Sequence, residues 1–290
     1  MNSTRFNFCR FSLAALLVFS SLATNDVRGQ DKKKPANLPA ASEVLNDFAE
    51  ALGGEMTLRS LESFKTAGEV HSDSSTLKFE TLFSQGKFKT HKKFMGVLTA
   101  EIFEGFDGEF LWMDSLGPLP PEQRNSKSSD MELKDRRLAS MAAHLSALQW
   151  LDHDGEIEVI EKASVDGKQA WCLKFPKHES LPYTALRYFD VESGLLVKAI
   201  WKDDNGEIQS EIKFEYHEAS FDGVRFWSKQ VNNSMGMGTT FEYVYDTIDT
   251  SPDIPEDAFK IPERLEDEDK EETKDQRDKS LWGSGGESTK

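Results

Sequence analysis

The side chains able to do chemistry are six histidines, two cysteines and a large excess of acids, and their spacing limits what they can do together. His71, His91, His144, His153, His178 and His217 never fall at i, i+2 or i, i+4. No strand or helix face therefore brings two imidazoles to one metal ion, and the six are expected as separate, solvated histidines. Asp152-His-Asp-Gly155 has the acids of a Ca²⁺ loop but no bidentate acid at the EF-hand position. It reads as an Asx turn closing a helix, and Asp203-Asp-Asn-Gly206 reads as a turn for the same reason. Gly236 and Gly238 lead from one strand into another, as in a hairpin or bulge. Cys172 lies in a WCLKF run with no histidine close by and is expected as a buried small apolar residue. No G-x-S-x-G elbow, H-E-x-x-H helix, C-x-x-C pair, P-loop or Rossmann glycine pattern occurs. With 51 acids, spacing singles out no acid/base pair. The expectation is a chain without catalysis, metal or cofactor.

The charge excludes other classes. Against those 51 acids stand 35 Lys and Arg, a formal net charge of −16 over 290 residues. Nucleic-acid binding needs a positive footprint that displaces counterions, and residence on an anionic bilayer needs the same. Neither is expected. Arg5 and Arg10 precede a short apolar run, FSLAALLVFSSLA over 11–23, and then polar residues. That is the layout of an export signal, with cleavage after Gly29 or, alternatively, after Ala23. The run falls short of the ~20 residues that span a bilayer, and no later segment approaches that length, so the chain is not expected to be transmembrane. Residues 1–29 hold three Arg and one Asp, so their removal deepens the charge from −16 to −18 and leaves one thiol. The mature protein is expected in the periplasm, or secreted, without an intrachain disulfide.

Those residues must be positioned by the segment 41–262. Residues 30–40 read as a charged, Pro-containing leader. Residues 263–290 read as an acidic disordered tail, too poor in apolar groups to offset the entropy of ordering. Within the core segment, Val44, Leu45, Phe48, Ala49 and Leu52 mark an amphipathic helix capped by Ser42 and ended by Gly53-Gly54. Period-two alternation then predicts strands over 63–70, 76–84, 87–95, 97–106 and 109–113. After a Pro- and Ser-rich loop over 117–130, Leu138, Met141, Ala142, Leu145 and Leu148 fall on one stripe of a long helix over 131–151. Alternation resumes over 156–163, 169–175, 183–189, 195–202, 207–216, 224–231 and 239–247. Turns at Asp166-Gly167, Asp203–Gly206 and Asp222-Gly223 supply the positive φ of tight hairpins.

About eleven strands in unbroken meander order exceed what a flat open sheet tolerates, so the sheet must curl. Its inner face needs apolar cover, and the two amphipathic helices are the source. The fold class expected is mainly β with some α, an unclosed antiparallel half-barrel with a helical lid. Such a fold can leave an apolar cavity. Leu77, Phe79, Phe83, Leu138, Met141, Leu145, Leu148, Ile212, Phe214 and Tyr216 either line that cavity or fill an ordinary core.

The order of short motifs carries a resemblance. Ala51-Leu-Gly-Gly54 with Leu58 and Leu61, then Phe103-Glu-Gly-Phe-Asp-Gly108 with Trp112, resembles the first half of the outer-membrane lipoprotein-sorting (LolA-like) family. The run YFDVESGLL from Tyr188, FDGVRF from Phe221 and IPEDAF from Ile254 with Pro262 is similar to the second half. The resemblance implies an unclosed barrel with a helical lid that holds acyl chains of lipids or lipoproteins in the periplasm, without catalysis. An exported structural or interaction domain of the cell envelope, with a filled core and a protein partner, is the alternative.

Overall fold

Antiparallel strands dominate the computed structural model, which describes residues 38–95, 100–117, 125–152, 154–177, 183–236, 238–263 and 265. The expected export signal, the leader as far as residue 37 and the tail beyond Leu265 lie outside the described residues. Helix α1 (Ala41–Leu52) and short α2 (Glu55–Ser60) lead into strands β1 (Ser63–His71), β2 (Thr76–Ser84), β3 (Lys87–Met95), β4 (Glu101–Phe106), β5 (Leu111–Leu116) and β6 (Asn125–Ser128). Helices α3 (Met131–Met141) and α4 (Ala143–Asp152) follow. Strands β7 (Glu158–Val165), β8 (Lys168–Phe175), β9 (Thr184–Asp190), β10 (Leu196–Lys202), β11 (Ile208–Tyr216), β12 (Trp227–Ser234) and β13 (Thr239–Asp249) complete one sheet.

The sheet has 13 strands in the order β6-β5-β4-β3-β2-β1-β13-β12-β11-β10-β9-β8-β7. The expected half-barrel of about eleven strands is therefore found with two corrections. The strand missed is β6, four polar residues inside the loop expected over 117–130, where no alternation marks it. The order is also not one unbroken meander. Two meanders, β1–β6 and β7–β13, run outward from a central β1/β13 seam, so the first and last strands of the sheet are neighbours. Alternation identifies a strand but not its partner at the far end of the chain. The consecutive strands β6 and β7 become the two opposite edges, and α3 and α4 form the connection between them.

Local chemistry explains the punctuation. Asp166 and Asp222 adopt φ of 49° and 48° ahead of Gly167 and Gly223, the left-handed pair that a tight antiparallel turn requires. Asp190 is buried at the end of β9 and accepts from the backbone N–H groups of Glu192 and Ser193 and from the Ser193 hydroxyl. The YFDVESGLL run is thus a turn held by one carboxylate. At the end of α1, Gly53 has φ of 133°, and a Cβ there would stand 2.2 Å from the Gly223 carbonyl oxygen. This close approach lets the Arg225 N–H donate to the Leu52 carbonyl and docks α1 on the sheet. Ser42 is not the cap expected of it: the helix begins at Ala41, and the Glu43 carboxylate instead accepts from the Ala40 N–H.

The expected helix over 131–151 is broken at Ala142, whose φ of −152° and ψ of 149° are extended. The break resets the phase of the apolar stripe. On α4 the buried face is Ala143, His144, Ala147 and Trp150, while Leu145 and Leu148 are only partly buried. The main core joins α1 (Val44, Leu45, Phe48, Leu52) and α4 to inward-facing Phe64, Phe83, Phe88, Phe106, Phe189 and Phe226 of the sheet and its loops. Phe48 stacks on Trp150 at 5.9 Å and meets Phe189 edge-on at 5.2 Å, which fixes both helices to one concave face. A smaller cluster of Ala170, Cys172, Leu186, Tyr188 and Ile200 lies on the opposite parity of β8–β10, with the Cys172 thiol free and buried. Leu265, beyond the expected end of the domain, is buried with Ile261 against Trp112.

Candidate functional site

A cavity of about 540 Å³ separates α3 and α4 from strands β8–β12, within the range of small-molecule sites. Strand alternation builds its floor. Ala185 and Arg187 of β9, Ala199 and Trp201 of β10, Ile212 and Phe214 of β11, and Trp227 and Gln230 of β12 face it. Register places these residues side by side: Arg187 opposes Ala199, Ala199 opposes Ile212, and Phe214 opposes Gln230. Leu133, Ala139, Ser146 and Trp150 form the helical roof, with Ile157 and Phe175 closing one side. The space exists because alanines stand at 139, 185 and 199, where a filled core needs larger side chains.

The walls are mainly apolar, with Asp135, Arg137, Glu156, Arg187 and Gln230 among their polar groups. The Arg187 guanidinium lies 3.8 Å from the ring centroid of Phe175 and 4.4 Å from that of Trp150. Desolvation pushes its pKa down to about 9, which leaves it protonated at neutral pH. The Gln230 side chain is buried, and its Nε2 has no hydrogen-bond partner. Arg137, on the roof, is placed differently. It faces Glu104 of β4 at 3.5 Å, and Lys92 donates to the same carboxylate. Desolvation alone would raise the Glu104 pKa, but Lys92 and Arg137 outweigh it and hold the carboxyl below its ordinary range. The pair ties α3 to the sheet at the edge of the cavity.

His144 corrects the expectation of solvated histidines. It is fully buried on α4, edge-on to Phe64 at 5.1 Å and to Phe226 at 5.3 Å, and neither ring nitrogen has a partner. Burial pushes its pKa down to about 3, so it is neutral. Among the described residues no group of three or more His, Cys, Asp or Glu is placed to hold a metal ion.

Of the ten residues expected to line a cavity or fill a core, Ile212 and Phe214 line this cavity. Phe79 and Phe83 are buried in the main core, and Leu77, Leu138, Met141, Leu145, Leu148 and Tyr216 pack against it. The residues that sequence reasoning missed are Arg187, Trp150, Phe175, Trp227 and Gln230. Arg187 did carry a signal: it stands between Ala185 and Phe189 in a strand whose neighbours are buried on both faces, so a cation interrupts an otherwise buried run.

No protein-family model and no curated protein sequence matches the chain. Solved structures do match in fold. A domain from Vibrio parahaemolyticus named for outer membrane lipoprotein sorting is 12% identical, with a TM-score of 0.50, and the match covers 76% of this chain and 97% of that one. A DUF1329 family protein from Desulfovibrio piger is 11% identical with a TM-score of 0.51, covering 77% and 98%. A LolA superfamily protein from Nitrosomonas europaea is 14% identical over 77% and 99%, with a TM-score of 0.47. The chain thus has the fold of lipoprotein-sorting domains, an open antiparallel barrel with a helical lid. Among the described residues no helix is long and apolar enough to cross a membrane.

Proposed function

We propose that this is an exported, non-catalytic binding protein of the periplasm that holds acyl chains of lipids or lipoproteins in the cavity beneath α3 and α4. The supporting observation is the cavity itself, about 540 Å³ between a mixed roof that includes Leu133, Ala139 and Trp150 and a floor of Ala199, Ile212 and Phe214. Each methylene buried there contributes about 0.8 kcal/mol, so a long chain binds tightly without a directional polar contact. The fold shared with lipoprotein-sorting domains supports the same use of the cavity. The space beside α3 and α4 supports this reading over that of a structural domain filled throughout.

Binding of a fluorescent fatty acid tests this. Wild-type protein is expected to take up the probe, and Ala199→Phe, which pushes a ring into the floor, is expected to weaken uptake at least tenfold. Overpacking costs about 1–3 kcal/mol, so Ala139→Phe on the roof is the companion variant and a thermal melt is the folding control. Uptake unchanged in both folded variants would remove the cavity from the binding site.

A further inference from the structure

We propose that Arg187 is the head-group site of this cavity, taking the anionic end, a carboxylate or a phosphate, of an amphiphile whose chain lies over Ala199, Ile212 and Phe214. The proposal rests on the acyl-binding function above and names its ligand class. Three observations carry it. The guanidinium lines the cavity against Phe175 and Trp150. Among the described residues no carboxylate lies within ion-pair distance of it and no acceptor takes its N–H groups, whereas Arg137 in the same cavity faces Glu104, and Asp135 is engaged by Lys134 at 2.8 Å. At the β12 side, Gln230 is more than nine-tenths buried and its Nε2 donates to nothing.

An unpaired cation among aromatic rings is costly unless something brings it an opposite charge. The planar fork of an arginine matches the two oxygens of a carboxylate or phosphate, and removal of water strengthens that pair. A neutral acyl group, such as the amide or ester of a lipid-modified cysteine, offers a carbonyl oxygen but leaves the charge uncompensated. The geometry therefore favours a free anionic amphiphile over a fully acylated neutral terminus. Strands β9 and β12 are three spacings apart, roughly 14 Å. A ligand anchored at Arg187 thus runs across the floor toward Gln230.

Calorimetric titration of the full chain with dodecanoate, dodecyl phosphate and dodecanol at pH 8 tests the assignment. Wild-type protein is expected to bind at least one of the anions at least tenfold more tightly than dodecanol, and the tighter of the two identifies carboxylate or phosphate as the head. Arg187→Met is expected to abolish the preference, the three ligands binding within about twofold of one another, and a thermal melt shows that the variant is folded. Equal binding of all three by wild type, or a preference that survives in Arg187→Met, overturns the head-group site but leaves the acyl cavity in place. Binding of none of the three overturns both. Should Arg187→Met not fold, the wild-type comparison alone decides.

Discussion

Replacing Gly68 by alanine is expected to cost about 3 kcal/mol or more, a large fraction of the stability of any domain. Gly68 sits at the bulge where the register of β1 against β13 shifts between Ala67 and Gly68. A Cβ built there would stand 1.9 Å from the Val244 carbonyl oxygen and 3.2 Å from Cε1 of Phe79. The ring has little room to turn, because Phe79 meets Tyr245 at 5.3 Å and Tyr243 at 6.3 Å. The Val244 backbone cannot retreat alone either, since it pairs with Lys229 of β12 on its other side. Relief of the clash must open the β1/β13 pairing, and that seam joins the two meanders. Gly86 supplies the comparison. It lies in a hairpin turn with φ of 80° and has nothing within 4 Å of an added Cβ, so alanine there costs only backbone strain of about 1 kcal/mol. Urea midpoints of Gly68→Ala and Gly86→Ala measure the contrast; equal losses would show that the seam tolerates a side chain.

His144→Phe is expected to flatten the loss of stability in acid. In the folded protein the imidazole has a pKa of about 3 because burial opposes its charge, against 6.5 when exposed. Between those values the unfolded chain binds a proton that the folded chain does not, so stability falls as pH drops from 6.5 toward 3. The slope approaches about 1.4 kcal/mol per pH unit, so by pH 4.5 the wild type has lost roughly 2–3 kcal/mol through this one group. Phenylalanine keeps the edge-on contacts with Phe64 and Phe226 and removes both unpartnered nitrogens. Carboxylates with lowered pKa, Glu104 and Asp190 among them, also weaken the fold in acid. They remain in both proteins and cancel in the difference. Denaturant titrations at pH 7 and pH 4.5 decide the matter: parallel losses in the two proteins would mean that His144 is protonated in place.

What the sequence made legible follows from which signals are local. Leu77, Phe79 and Phe83 against Lys78, Glu80 and Ser84 suffice to define β2 and its inner face, and Asp-Gly pairs suffice to place hairpins. Partner choice is not local. The β1/β13 seam depends on a close approach at Gly68 that no periodicity reports. The helix break at Ala142 was hidden because the residues on both sides are good helix formers, and the tertiary position of α4 overrides their propensity. Large apolar residues suggested the cavity wall, yet a cavity forms where side chains are small, at Ala139, Ala185 and Ala199. Phe83 fills space instead, stacked on Phe64 at 5.0 Å. Arg187 was legible in principle as a charge inside a strand buried on both faces, a clearer pointer to a site than any apolar stripe.

Native mass spectrometry of the full chain, produced in its own host and purified from the envelope fraction without detergent, tests the acyl-binding cavity most directly. The expected spectrum contains the protein with one bound amphiphile whose mass matches an acyl lipid, and the adduct is absent from Ala199→Phe prepared in parallel. A spectrum of the bare protein alone, or an adduct that persists undiminished in the folded Ala199→Phe variant, would contradict it.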